Sequence, residues 1–121
     1  MNCVFCKIIE EKQYLFENEL AIAFLDARPV SKGHTLIIPK RHAETYFDLT
    51  KEEMAAIFEL SQKVKEHLDN LYHPAGFNVG FNVGEAGGQS VFHCHMHVIP
   101  RYRGDVERPR GGIRKLVKNS L

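Results

Sequence analysis

The sequence predicts an α+β fold built on an antiparallel sheet, and three observations carry that expectation. Apolar residues between Met54 and Leu71 recur at helical spacing, which places one long amphipathic helix in mid-chain. Short β-rich runs on either side of it are joined by brief connections, which suit hairpins better than parallel crossovers. The stretch Gln89 to Pro100 alternates His93, His95 and His97 with Phe92, Cys94, Met96 and Val98, the period-two pattern of a half-buried strand.

Taken in order, residues 3 to 10 predict a short helical turn with Val4, Phe5, Ile8 and Ile9 on a common side. Tyr14 to Glu17 and Leu20 to Leu25 predict a hairpin about Asn18-Glu19. Asp26 ends its second strand, and Arg28 to Gly33 is a loop marked by Pro29 and Gly33. His34 to Ile38 is a β-rich run stopped by Pro39. Thr50 followed by Glu53 is a capping box, and the helix it starts carries Met54, Ile57, Phe58, Ser61, Val64, Leu68 and Leu71 as its apolar stripe. That helix stops before Pro74. Phe77 to Val83 predicts a strand, Gly84 to Ser90 a glycine-rich connection, and His93 to Ile99 the last strand. From about residue 104 onward the chain reads as an irregular basic tail.

A chain of 121 residues fits one domain, 1–121, that buries roughly two thirds of its unfolded surface. Hydrophobic content of 44% and charged content of 26% exclude disordered and fibrous classes. The net charge of +1 hides an asymmetry, since the stretch from Arg101 carries +5 and the rest −4. That suits a polyphosphate or partner contact, but is too little for bulk nucleic-acid binding. Without a run long enough to span a membrane or a signal peptide, the expected location is the cytoplasm. Three cysteines, two of them as Cys3-x-x-Cys6, point to a metal or redox role rather than to disulfides.

Strand rise limits what the histidines can share. At about 3.3 Å per residue, neighbouring imidazoles lie about 6.6 Å apart and the outer two about 13 Å, so a tetrahedral metal takes at most an adjacent pair. Cys3 and Cys6 supply two soft ligands, and His42 and His93 are candidates to complete a closed structural zinc site. Gly87, Gly88, the Gln89 amide and the Ser90 hydroxyl offer the donors a phosphate needs. An imidazole is a good nucleophile toward phosphorus, and a second one beside it can donate to the leaving atom. The pattern therefore suggests nucleotidyl or phosphoryl transfer in two steps. Two other readings compete with it: a nucleotide-binding scaffold with little catalysis, and catalytic zinc on two of the triad histidines.

His93-Cys94-His95-Met96-His97-Val98-Ile99 resembles the signature of the histidine triad superfamily, and Phe24 to Pro29 and Lys32 to His42 resemble its other two blocks. The resemblance covers residues 3 to about 103. It implies a five-stranded antiparallel sheet with one long and one short helix, in a homodimer whose sheets join into ten strands. It implies hydrolysis or transfer at the α-phosphate of nucleotide conjugates: nucleoside phosphoramidates, dinucleoside polyphosphates or adenylylated compounds. By that likeness His95 is the nucleophile and His97 contacts the phosphate or leaving group. Gln89 and Ser90 cradle the phosphate, with Asn82 and Gly88 close by. Asp26 holds the ribose hydroxyls, and Phe5, Phe24 and Val4 line the pocket of a purine base. Cys3, Cys6, His42 and His93 match the zinc ligands of a bacterial branch. His34 is expected behind the site, and His67 and His73 at the surface. The segment Glu10 to Tyr14 is shorter than the family's, and the tail Arg108 to Ile113 matches neither the tryptophan-bearing nor the long-tailed branch.

Overall fold

In the computed structural model, which describes residues 3–117, helix α1 (Val4–Glu10) leads into strands β1 (Phe16–Glu17), β2 (Ala21–Leu25) and β3 (Thr35–Pro39). Helix α2 (Lys51–Tyr72) then precedes β4 (Gly76–Phe81) and β5 (Met96–Arg101). The five strands form one antiparallel sheet in the order β1-β2-β3-β5-β4. No helix among the described residues is long and apolar enough to cross a membrane.

The two faces of this sheet have different covers. Helix α2 lies on one, where Ile57, Leu60, Val64 and Leu68 pack against Ala21, Ala23, Ile37 and Val98. On the other, Phe5 of α1 closes over Ile22, Phe24, Leu36 and Ile38. Strands β2 and β3 are therefore buried on both sides, which is why they read as continuous apolar runs. Each buried Val, Leu, Ile or Phe among them stabilises the fold by about 1.5–3 kcal/mol relative to exposure.

The capping box at the start of α2 is present: Thr50 Oγ1 accepts from the Glu53 N–H at 3.0 Å, and Glu53 Oε1 from the Thr50 N–H at 2.9 Å. Glu53 is buried, and the Arg41 fork donates to both of its carboxylate oxygens at 2.8 and 2.9 Å. That pairing holds the Glu53 carboxyl below its ordinary range and ties the segment after β3 to the helix. His73 ends α2 in the left-handed region at φ 53°, just before Pro74.

Several expected boundaries move. The buried stripe of α2 is Glu53, Ile57, Leu60, Val64 and Leu68, whereas Phe58 and Leu71 are exposed. A one-residue error rotates a helical side chain by about 100°, and that is the distance between Ile57 and Phe58. The same rotation puts Val4 outside while Phe5 is buried. His67 is partly covered, its ring edge-on to Phe16 at 5.3 Å. The largest change is at β5, which begins at Met96 and leaves His93 and His95 in the bend before it. There the Cys94 N–H donates to Ala43 O at 2.6 Å and His93 Nε2 to Pro39 O at 2.8 Å, so the chain follows the segment after β3 instead of its ladder. The tail is not wholly irregular, because Gly112–Leu116 forms a 3-10 turn. Its last residues, 118 to 121, lie outside the described part.

Candidate functional site

The imidazoles still line one side despite the bend. Phe5 meets both His93 and His95 edge-on, with ring centroids 6.0 and 5.1 Å away, and His95 meets His97 at 5.0 Å. His97 is the one triad histidine within β5, opposite Leu36 of β3 and Gly80 of β4. At the other end, the His42 ring lies 4.9 Å from His93.

Hydrogen bonds divide the row into two functions. His93 donates Nε2–H to the Pro39 carbonyl, which leaves its Nδ1 lone pair facing Cys3 Sγ at 3.4 Å and Cys6 Sγ at 3.5 Å. Cys6 Sγ is also 3.4 Å from His42 Nδ1, and the four ligand atoms lie within 4.8 Å of one another. Zinc bonds of about 2.3 Å to sulfur and 2.0 Å to nitrogen give a tetrahedral edge of about 3.5 Å, so the donor set fits that ion in kind and spacing. Burial pushes the Cys6 thiol up to about 11, so a metal entering here displaces a proton. Cys94 is a packed residue instead, with burial pushing its thiol to about 12.

Asp26, His34 and His97 form a second cluster within the same 4.8 Å, but their hydrogen bonds do not suit a metal. The Val30 N–H donates to His34 Nδ1 at 3.1 Å, so the proton of neutral His34 sits on Nε2. That Nε2 lies 2.9 Å from His97 Nδ1 and 3.4 Å from Asp26 Oδ2. His34 Nε2–H donates, and has no lone pair to offer a cation. His97 must therefore accept at Nδ1 and carry its own proton on Nε2. His34 does stand behind the site, and it also sets the tautomer of the residue in front of it.

His95 is set the opposite way. Its Nδ1–H donates to the His93 carbonyl at 2.8 Å, leaving a lone pair on Nε2, and His95 belongs to neither cluster. Two adjacent rings thus present unlike nitrogens, a lone pair and a hydrogen-bond donor. His97 Nε2 is buried without a partner among the described residues. Such an atom costs about 1–3 kcal/mol until something accepts from it.

Burial also sets the pH response. Desolvation, with His95 and His34 adding to it and Asp26 opposing, lowers His97 to about 4, and burial lowers His34 in the same direction. Unfolded imidazoles titrate near 6.5, so from there down to about 4 the unfolded chain takes up a proton that folded His97 refuses, and His34 acts in the same direction. The contribution of these two histidines to stability is therefore present above about pH 6.5 and is lost as the pH drops through that window. Urea midpoints taken from pH 7 to pH 4 are expected to decline, and His97→Gln to flatten the decline. Equal slopes for both proteins would contradict the assignment.

The remaining expected site residues are brought together only in part. Gln89 is buried and makes all its side-chain bonds within the protein, accepting from the Gly84 N–H at 2.9 Å and donating to Glu44 O at 2.6 Å and Val91 O at 3.0 Å. Its side chain thus ties the loop to the segments at Glu44 and Val91. The N–H groups of Gly84, Gly87, Gly88 and Gln89 likewise close on the loop itself. Gly88 has φ +94°, which lets the turn form, and a Cβ there would meet the Asn82 side chain. Asp26 accepts from the Arg28 N–H at 2.9 Å through Oδ1. Phe5 and Phe24 pack edge to face at 5.3 Å and are nearly covered, so they wall the row without opening a base slot between them.

Two open cavities of about 430 Å³ flank the row. His97, His34 and Asn82 line one, together with Ile113 and Leu116 of the tail. Cys3, Val4, His42, Glu44 and Ser90 line the other. Sequence reasoning missed Val30, Pro39 and Ala43, because they act through backbone groups that no residue type announces.

The HIT domain family model matches residues 9–104. "Protein hit" of Bacillus subtilis is 45% identical over 108 residues, 86% of this chain and 74% of that protein. "Adenosine 5'-monophosphoramidase hnt1" of Schizosaccharomyces pombe is 41% identical over 104 residues, 84% and 75% of the two chains. Among solved structures, a HIT family protein from Bacillus anthracis superposes with TM-score 0.79 at 43% identity, covering 88% and 82%. A Zn-bound histidine triad family protein from Mycobacterium smegmatis gives TM-score 0.79 at 38% identity, covering 87% and 78%. With the family model spanning most of its length and its five strands in the same fold, this chain belongs to the HIT domain family.

Proposed function

We propose that the protein is a nucleotide hydrolase or nucleotidyl transferase that cleaves nucleotide conjugates at the α-phosphate through a nucleotidyl-histidine intermediate. The observation that carries this is the pair of opposite tautomers, His95 with a lone pair at Nε2 and His97 with a proton at Nε2, on rings 5.0 Å apart. His95 Nε2 attacks phosphorus. The bond to the leaving atom breaks, and its electron pair stays on that atom. A carboxylate leaves as it is, while an amine takes a proton from water. His97 Nε2–H donates to the phosphoryl or leaving oxygen or nitrogen, where charge develops. The Nδ1–H of His95, held by the His93 carbonyl, spreads the positive charge of the intermediate. Water then attacks phosphorus, the pair of the P–N bond returns to Nε2, and a proton leaves to solvent.

Around this pair we assign Ser90, Asn82 and the Gly88 turn to the phosphate, and Asp26 to the ribose. Phe5, Phe24 and Val4 are the apolar surroundings of a purine base. Zinc on Cys3, Cys6, His42 and His93 would bind α1 to the bend that carries His95, adding stability and no chemistry. The name of the fission-yeast relative supports a phosphoramidate among the substrates. Strand β4 is an outer strand with no charged residue and no proline in Gly76–Phe81, and such an edge suits pairing with a second copy into a ten-stranded sheet. A cytoplasmic homodimer acting on purine nucleotides is the setting this reading requires.

Turnover in ¹⁸O-labelled water tests the reading. The nucleoside monophosphate released from an acyl adenylate is expected to carry one labelled oxygen, and the carboxylate none. Label in the carboxylate, which marks attack at the acyl carbon, or no release, would remove the α-phosphate assignment.

A further inference from the structure

We propose that Cys3 and Cys6 form a reversible redox site: a peroxide oxidises the pair to a disulfide, and the metal held by Cys3, Cys6, His42 and His93 is released. The proposal rests on the zinc reading of that group given above, and adds to it a chemical modification of two of its ligands. Both thiols are free and half-buried. Cys3 is the N-cap of α1, and its Sγ accepts from the Cys6 N–H at 3.3 Å, so the two sulfurs share one turn. Cys3 Sγ lies 3.4 Å and Cys6 Sγ 3.5 Å from the same nitrogen, His93 Nδ1, and the sulfurs lie within 4.8 Å of each other. Cys-x-x-Cys at a helix start is a spacing at which a disulfide closes locally, without moving any other segment of the chain. Cys3 also lines the open cavity that it shares with His42 and Glu44, so an oxidant in solvent reaches its sulfur. Cys94 is 1% exposed and has no such access.

The oxidation balances with hydrogen peroxide as the oxidant. The Cys3 thiolate attacks one peroxide oxygen, the O–O bond breaks, and the departing hydroxide takes up a proton to become water. The Cys6 thiolate then attacks the Cys3 sulfur. An S–S bond forms, the S–O bond breaks, and a second hydroxide leaves and is protonated. The sulfurs are oxidised together by two electrons, and the peroxide is reduced to two waters. A disulfide has lost both negative charges that made the sulfurs good ligands, and two neutral imidazoles remain, too few to close a tetrahedral zinc site. The exchange of links is unequal. Metal on these four residues ties α1, the segment after β3 and the bend before β5 together, whereas the disulfide lies within one turn of α1 and ties none of them. Oxidised α1 is left with the packing of Phe5, Ile8 and Ile9 on the sheet. His93 keeps only its bond to the Pro39 carbonyl, and the loosening reaches His95 because His95 Nδ1–H is held by the His93 carbonyl.

The test treats the zinc-loaded full chain with hydrogen peroxide, stops the reaction with catalase, and follows a chromogenic zinc indicator, thiol titration in denaturant, peptide mapping and thermal scans. Expected are release of the zinc, a disulfide between Cys3 and Cys6 with Cys94 still a thiol, and a melting temperature that falls to that of the chelator-stripped protein. Dithiothreitol with fresh zinc is expected to restore it. Cys3→His keeps a nitrogen ligand in place of the cavity-lining sulfur, and is expected to release zinc at least about tenfold more slowly under the same peroxide. Zinc retained with both thiols unlinked, a disulfide through Cys94, or a loss that dithiothreitol and zinc do not reverse would overturn the redox site and leave the zinc reading standing. Release from Cys3→His as fast as from the wild type would do the same. A chain that takes up no zinc would overturn both.

Discussion

His95→Ala is expected to lower turnover by about 10⁴-fold or more, the scale of removing a nucleophile that no neighbour replaces. Its Nε2 carries a lone pair outside the Cys3–Cys6–His42–His93 group, and the other such nitrogen of the row, His97 Nδ1, already accepts from His34. His97 cannot substitute, because the Val30 N–H and His34 fix a proton on its outward nitrogen. Metal content should not change, since the ring is no ligand. The cavity left beside Phe5 should cost only about 2–3 kcal/mol of stability. Single-turnover quenching of the wild type with mass analysis should find a nucleotide on the peptide containing His95 and none in the variant. Wild-type turnover by His95→Ala would end the covalent mechanism. His97→Ala, which removes a donor, should cost a smaller factor of about 10²–10³.

Stripping metal from the loaded protein is expected to lower its melting temperature by about 10 °C or more. Four ligands from three separate parts of the chain meet at that cluster: the α1 end, the segment after β3, and the bend before β5. Without the ion, α1 keeps its hold on the sheet chiefly through Phe5, packed on Phe24 and Leu36. Binding energies of structural zinc run to about 10–16 kcal/mol in small domains, and even a fraction of that moves the melting point of a domain this size by tens of degrees. Cys3→Ser with Cys6→Ser should reproduce the loss. Thermal scans with and without chelator, alongside metal analysis, give the answer, and an unchanged melting point would dismiss a structural ion. Below the lowered melting point the stripped protein should retain part of its turnover, which a catalytic ion would not permit.

Much of this was legible in the sequence because it follows from periodicity and side-chain chemistry. Thr50 and Glu53 announced the helix start, and the apolar runs of β2 and β3 announced strands. Cys3, Cys6, His42 and His93 gathered as their ligand chemistry suggested. What could not be read depended on backbone groups or on one residue of phase. Nothing in the types of residues 93 to 95 says that the Ala43 and Pro39 carbonyls will draw them off the sheet ladder. Gln89 looked like a phosphate donor because an amide is one, yet its partners are the carbonyls of Glu44 and Val91. Phe58 and Val4 sit one step from buried neighbours, and hydropathy alone does not resolve that step. The tail's place was hidden for a different reason, since only the folded chain brings Ile113 and Leu116 into one cavity with His97.

The loop before β3 has a fixed seat. Gly33 presses so closely on the far end of α2 that an added methyl carbon would lie 2.8 Å from Leu68 and 3.0 Å from Tyr72, and its φ of +94° disfavours any other residue. Val30, three residues earlier, supplies the amide that orients His34 and, through it, His97. A bulkier residue at 33 would thus misalign the proton on the outward imidazole without touching it, so damage at the helix terminus can read out as an altered catalytic rate while the ligand sites stay chemically intact.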